Sequence, residues 1–234
     1  MKRQVFVRRS GFMPTFAAAF LSMVTATNAS AEIIFESGTL GPTELTLDDF
    51  GGILEPNGSF VSDFAFTGVR FELIQPVVTT RVGGHFVIDP GHDDSFFGAI
   101  VRLDDGTDFP DSGNLSTPDV LGETLLTFPY ASTEVFADLT LSLEPGWYAL
   151  VFGSGLFEAT GQGGALANNS DIGSPSYIAF RKFVPNSQWI DFSTLPGPFA
   201  NFRLVVEGKV IPEPNSIVAI AIMFPLLLCA RRAR

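Results

Sequence analysis

The densest set of groups able to do chemistry lies between His85 and Asp111. Two acidic clusters stand there: Asp89, Asp93 and Asp94 around Pro90-Gly91-His92, and Asp104, Asp105 and Asp108 around Gly106-Thr107. Calcium takes about six to eight oxygen ligands, and clustered loop carboxylates can supply them. The second cluster opens like a calcium-binding loop, but it lacks the alternate acidic spacing and the closing glutamate of that motif. Aspartate also bonds its own backbone in tight turns, so a solvated turn accounts for the same residues. Calcium is the one cofactor these residues suggest, with the six aspartates as its candidate ligands.

The other constellations are weaker. His85 and His92 are the two histidines of the chain. With Asp89 or Asp93 they would make part of a zinc or acid–base site. Such a zinc site takes about three or four protein ligands, so carboxylates would have to complete it, and exposed loop histidines are the simpler expectation. Gly153-Ser154-Gly155 lacks the glycines two positions either side of the serine that a nucleophile elbow requires. Gly161-Gln162-Gly163-Gly164 has no Lys or Ser/Thr to hold a phosphate and reads as a flexible connection. Carboxylate pairs for glycoside hydrolysis are defined by spatial separation, and order along a chain with 25 acids singles out none. Trp147, Tyr148, Tyr177 and Trp189 are candidates for a platform that stacks on sugar rings. Trp147 and Tyr148 are adjacent in one expected strand, so they point to opposite faces and at most one belongs to the core. No triad or metal set is recognisable, and the chain reads as a non-enzyme.

The elements that must position these residues are strands. Apolar and polar residues alternate over short runs, interrupted about every eight to twelve residues by Gly, Pro, Asn or Asp. Strands are expected at Ser59–Phe66, Val69–Ile74, Gly84–Ile88, Phe96–Leu103, Thr124–Phe128, Val135–Leu143, Trp147–Phe152, Tyr177–Phe183 and Phe202–Glu207. In Glu134–Leu143 the residues Val135, Ala137, Leu139, Leu141 and Leu143 share one face, and Asp138, Thr140 and Ser142 the other. Glu144-Pro145-Gly146 should then turn the chain back into Trp147–Phe152 as a hairpin. The 24 phenylalanines suit a core in which rings from two sheets interdigitate. The expected fold is all-β, a single β-sandwich of jelly-roll type, with a barrel as the alternative.

Both ends differ from this body. Residues 1–31 are built as a secretory signal peptide, with Lys2, Arg3, Arg8 and Arg9 before the nearly charge-free Gly11–Thr25. Ala29-Ser30-Ala31 supplies the small-residue cleavage pattern, which makes Glu32 the first mature residue. Between residues 32 and 214, seven Lys and Arg face all 25 Asp and Glu, a net charge of −18. So negative a segment repels phosphate backbones, which argues against nucleic-acid binding. The one cysteine, Cys229, lies outside the body, so residues 32–210 form no disulfide and depend on apolar burial.

Residues 211–234 hold Pro212-Glu213-Pro214, the 14-residue charge-free run Ile217–Ala230, and then Arg231, Arg232 and Arg234. A helix over that run would be about 21 Å long, short for a bilayer span and interrupted by Pro225. Terminal arginines would hold its orientation from the cytoplasmic side. The three parts in this order resemble the PEP-CTERM sorting signal of Gram-negative bacteria. The resemblance implies an exosortase, a membrane cysteine transpeptidase, as processing partner, with Pro212, Glu213 and Pro214 as the recognition motif. It further implies transient residence in the inner membrane, then the cell surface or extracellular matrix, with exopolysaccharide or biofilm as partner. The body is similar to choice-of-anchor domains over Leu143–Gly155, Gly161–Gly164, Pro175-Ser176-Tyr177, Trp189 and Phe202-Arg203 to Glu207-Gly208. An exported, non-enzymatic surface or matrix protein is the leading functional expectation. A carbohydrate- or calcium-binding module and a secreted polysaccharide-active hydrolase are the alternatives.

Overall fold

The structure, a computed structural model, describes residues 31–50, 57–182, 187–192 and 201–212. Of the expected features of the two ends, Ala29, Glu213, Pro214, Ile217–Ala230, Arg231, Arg232 and Arg234 lie outside the described residues, whereas Ala31 and Pro212 are described and exposed. The chain begins with β1 (Glu32–Glu36) and β2 (Gly38–Thr39), followed by a 3-10 turn at Leu47–Phe50. Next come β3 (Gly58–Val61), β4 (Ala65–Leu73), β5 (Val77–Ile88) and β6 (Ser95–Leu103). After an irregular stretch follow β7 (Val120–Thr127), β8 (Thr133–Asp138), β9 (Ser142–Leu143) and β10 (Gly146–Gly153). The described strands end with β11 (Gly163–Leu166), β12 (Ser170–Asp171), β13 (Ser176–Arg181), β14 (Gln188–Asp191) and β15 (Leu204–Val210).

The fold is all-β and sandwich-like, and every strand pairing among these elements is antiparallel. One sheet runs β14-β13-β4-β10-β6-β7. The second large sheet is built on the 12-residue β5, while β2 and β12 pair separately as a two-stranded ribbon. Along one edge of β5 lie β15, flanked by β1, and then β11, flanked by β3; along the opposite edge lie β9 and β8. β1, one of the edge strands, carries a register shift between Ile33 and Phe35, with Glu32 and Glu36 at its two ends.

Parity along the strands decides where each side chain goes. Val69, Phe71 and Leu73 of β4, Phe96 and Ile100 of β6, and Tyr148, Leu150 and Phe152 of β10 face the second sheet. There they meet Val82 and Phe86 of β5 and Leu204 and Val206 of β15. The Phe86 ring centroid lies 4.8 Å from Phe96 and 4.9 Å from Phe152, while Phe96 stacks on Phe128 at 4.0 Å. The outer face of the six-stranded sheet is apolar as well. Phe66, Phe97, Ala99, Val101, Ala149, Val151, Ile178 and Phe180 form a second cluster there, covered by Leu115 and Ala159 from the loops. A strand buried on both faces has no reason to alternate, which is why Tyr148–Gly153 are buried without exception.

Four expectations change. The Glu144-Pro145-Gly146 turn does not close a hairpin. It carries the chain from β9 in one sheet to β10 in the other, where β10 pairs with β4 and β6, and Gly146 adopts φ +151° to make the passage. The expected strand Val135–Leu143 is split because the Thr79 side chain enters the ladder: its Oγ1 donates to Leu139 O at 2.6 Å and accepts from Leu141 N at 2.9 Å. Its apolar face is nevertheless as expected, since Leu139 and Leu143 are buried and Val135, Ala137 and Leu141 pack against the core. Ser59–Phe66 is interrupted at Ser62–Phe64, where the chain turns from β3 into β4. Gly163 and Gly164, expected in a flexible connection, belong to the interior strand β11 between β5 and β3.

Glycine suits β11 because a Cβ at Gly163 would run into the Val87 carbonyl and come within 2.8 Å of the Phe128 ring. Gly163→Ala should therefore lower unfolding stability by roughly 1–3 kcal/mol through overpacking. Equilibrium urea denaturation reads the change, and an unaltered midpoint would contradict this account of β11.

Candidate functional site

The largest buried polar cluster among the described residues sits on the face of β5 turned away from the inter-sheet core. His85 of β5 is fully buried, and its direct cross-strand neighbour is Glu134 of β8. On its other side the His85 amide donates to Arg203 O at 2.9 Å. Arg203, 7% exposed just ahead of β15, turns its guanidinium between two carboxylates. Nε donates to Glu134 Oε1 at 2.6 Å, and Nη1 donates to Glu36 Oε2 of β1 and to Gly38 O. Burial disfavours the guanidinium charge, but the bonds to Glu36 and Glu134 more than offset this, so the Arg203 pKa rises.

Asn169 fixes the state of the imidazole. Its amide nitrogen donates to Leu166 O at 2.8 Å and Asn201 O at 3.0 Å, so Oδ1 is the atom facing His85 Nδ1 at 2.9 Å. Oδ1 also accepts from Gly41 N at 2.9 Å. An acceptor at that position requires the proton on Nδ1, so in the neutral ring Nε2 is the bare lone pair. Nε2 is buried with no hydrogen-bond partner among the described residues. Burial pushes the His85 pKa down, aided by the nearby Arg203 charge and opposed by the Asn169 bond and Glu134. Next to this cluster, Ser37 Oγ donates to Phe202 O at 2.6 Å and accepts from Leu204 N at 2.9 Å, bridging the end of β1 to β15. Together these groups tie β1, β8 and β15, and the segment that follows β2 at Gly41, into one polar seam around β5.

The remaining candidate residues are dispersed. The two acidic clusters lie at opposite ends of the nine-residue β6, about 30 Å apart at the usual rise of a strand, so they do not share a cation. Within the second, the carboxylates turn inward. Asp105 Oδ1 accepts from Thr107 Oγ1 and N at 2.7 Å, which holds its pKa below the usual range, and Asp108 accepts from Asp104 N and Phe109 N. The loop carbonyls belong to Arg70 of β4, whose side chain is 1% exposed. Its Nε donates to Asp108 O at 2.7 Å, Nη2 to Thr107 O at 3.1 Å, and Nη1 to Asp191 at 2.8 Å; its guanidinium lies 4.3 Å from the Phe109 ring centroid. In the first cluster Asp89 accepts from Gln162 Nε2 at 2.7 Å, while Asp93 and Asp94 are exposed. Among the described residues no group of three or more His, Cys, Asp or Glu side chains is placed to hold a metal.

The histidines and aromatics need correcting too. His92 is an exposed loop residue 3.6 Å from Asp89, but His85 is a strand residue at the centre of the seam. The four aromatics do not share a surface. Tyr148 and Tyr177 are buried between the sheets; the Tyr148 hydroxyl donates to Glu144 O, and the Tyr177 hydroxyl lies 2.6 Å from Asp171 and 2.7 Å from Phe202 O. Trp147 and Trp189 are half-buried on the opposite face, Trp147 beneath Gly106 and Trp189 against Phe180. The parity argument for Trp147 and Tyr148 thus describes the sheet, whereas a common platform does not form. Glu36, Glu134 and Asn169 were not singled out in the sequence, and Arg203 only within the choice-of-anchor likeness, because no spacing joins residues so far apart.

No protein-family model matches the chain, and no curated protein does either.

Two measurements check this account. Because His85 is held neutral in the fold but titrates near its ordinary pKa of about 6.5 when unfolded, its contribution is complete above that value and shrinks as the pH falls below it. The melting temperature should decline on acidification through this window, and less steeply in His85→Gln; parallel profiles would refute the assignment. Calcium in millimolar excess should leave the melting temperature unchanged, and a rise that a chelator reverses would restore the calcium reading.

Proposed function

We propose that this chain is an exported, non-enzymatic protein of the cell surface or extracellular matrix, with a jelly-roll-type body delivered by a PEP-CTERM tail. The single observation that carries the reading is the ordered set Pro212-Glu213-Pro214, Ile217–Ala230 and Arg231, Arg232, Arg234. The signal-peptide pattern of residues 1–31 and the lack of cysteine between Glu32 and Val210 agree with export. The body supports the same reading: β15, the last described strand, ends at Val210 and Ile211 N donates to Pro76 O at 2.8 Å, directly ahead of Pro212. A non-catalytic role is supported by Arg203, whose guanidinium is engaged by both Glu36 and Glu134 inside the fold. With a strong negative charge, the surface suits neutral or cation-bridged exopolysaccharide as the matrix partner.

Mass spectrometry of the mature protein from cells with and without an exosortase tests the proposal. Glu32 should be the first residue in both, and the carboxyl end should be trimmed near Pro212–Pro214 in exosortase-containing cells alone. An intact Arg234 in those cells would overturn it.

A further inference from the structure

Large apolar side chains that remain exposed are unevenly distributed over the body. Of the nine among the described residues, Ile33, Ile74, Val210 and Ile211 gather at one end of the two sheets. Ile33, Ile74 and Val210 line one cleft of about 260 Å³ together with Ile34, Leu73 and Val77, and Ile211 is pinned beside it through Pro76. Ile74, at the tip of the β4–β5 turn, is 80% exposed. Isolated apolar residues on a surface need no explanation, but a contiguous group marks a contact. Both ends of the described body, Ala31 and Pro212, emerge at this same place, since β1 begins and β15 finishes there.

From the geometry of this end we infer that it is a membrane-seating face, with Ile33, Ile74, Val210 and Ile211 resting in the head-group layer of the bilayer that receives the tail. The inference rests on the proposed function, because it takes the apolar run to be inserted in lipid. Ile217 lies five residues beyond Pro212, so a fully extended link holds the cleft within about 17 Å of the start of that run. A short proline-bearing link keeps the same end of the body turned toward the lipid.

Other occupants fit less well. A helix about 10 Å across and about 21 Å long is far larger than the cleft, so the tail does not fill it. Four partly exposed aliphatic side chains fall well below the roughly 800 Å² per partner of a stable protein interface, which argues against a second copy. Shallow insertion of a few aliphatic side chains is, by contrast, what the interfacial layer accepts. Glu32 and Glu72 line the same cleft and would be repelled by anionic lipid, so the matching surface is zwitterionic.

The test uses the full chain in phosphatidylcholine vesicles that carry a nitroxide at head-group depth. Three single-cysteine proteins bear an environment-sensitive dye: the native Cys229, and Ile74→Cys or Tyr130→Cys in a Cys229→Ser background. Tyr130 is 69% exposed at the opposite end of the body, beyond the Thr127 end of β7. The expected result is quenching and a blue shift at positions 229 and 74, with neither at 130. Quenching at 229 without any at 74 would overturn the seating face and leave the sorting proposal standing. No quenching at 229 would overturn both. A blue shift at 74 already present without vesicles would mean that another copy covers the patch, which also defeats the inference.

Discussion

The burial of aromatic rings between two antiparallel sheets is the constraint on which the body depends. With no disulfide in residues 32–210 to restrict the unfolded chain, the folded state must gain its advantage from apolar surface removed from water. Phe86, Phe96, Phe128 and Phe152 meet across the sheets with centroid separations inside the range where ring pairs attract. Their contact fixes the spacing of the sheets and, through parity, the face on which every neighbouring residue must stand. The outer cluster around Phe66, Phe97 and Phe180 follows from the same choice, since a sheet with apolar residues at every position must be covered twice. The loop 104–119 supplies part of that second cover, and Arg70 holds it in place.

The polar seam on the other sheet solves a related problem. β5 has neighbours along both edges and a covering segment over part of its outer face, so a histidine at its middle is sealed from water. Two partly buried glutamates would be costly in such surroundings if the arginine between them were missing. Their mutual bonds join β1, β8 and β15, elements distant in the chain, at one point. The burial that these strands impose, aided by the Arg203 charge, disfavours protonation of the imidazole.

Much of the architecture was legible because period-two patterning is a local signal. Val135, Leu139 and Leu143 announce a face wherever they occur, and Phe96–Leu103 agrees with β6 almost to the residue. Signals that depend on a partner were not legible. Nothing near Gly163 in the sequence says that the Val87 carbonyl and the Phe128 ring will press on it, so its glycines resembled a loop. The Glu144-Pro145-Gly146 turn is chemically the same whether it closes a hairpin or passes between sheets; only the pairing of β10 with β4 decides. The seam was invisible for the same reason: Glu36 and Arg203 are 167 residues apart. The acidic loops were noticed for their composition, yet composition does not tell whether a carboxylate faces a cation or its own backbone.

The edge strand β1 has a further consequence. Its ladder falls out of step between Ile33 and Phe35, and a carboxylate stands at each end. A neighbouring molecule attempting to prolong the sheet along this rim would meet the Glu32 carboxylate and mismatched amides. At high local density this rim resists being extended strand by strand by a second molecule.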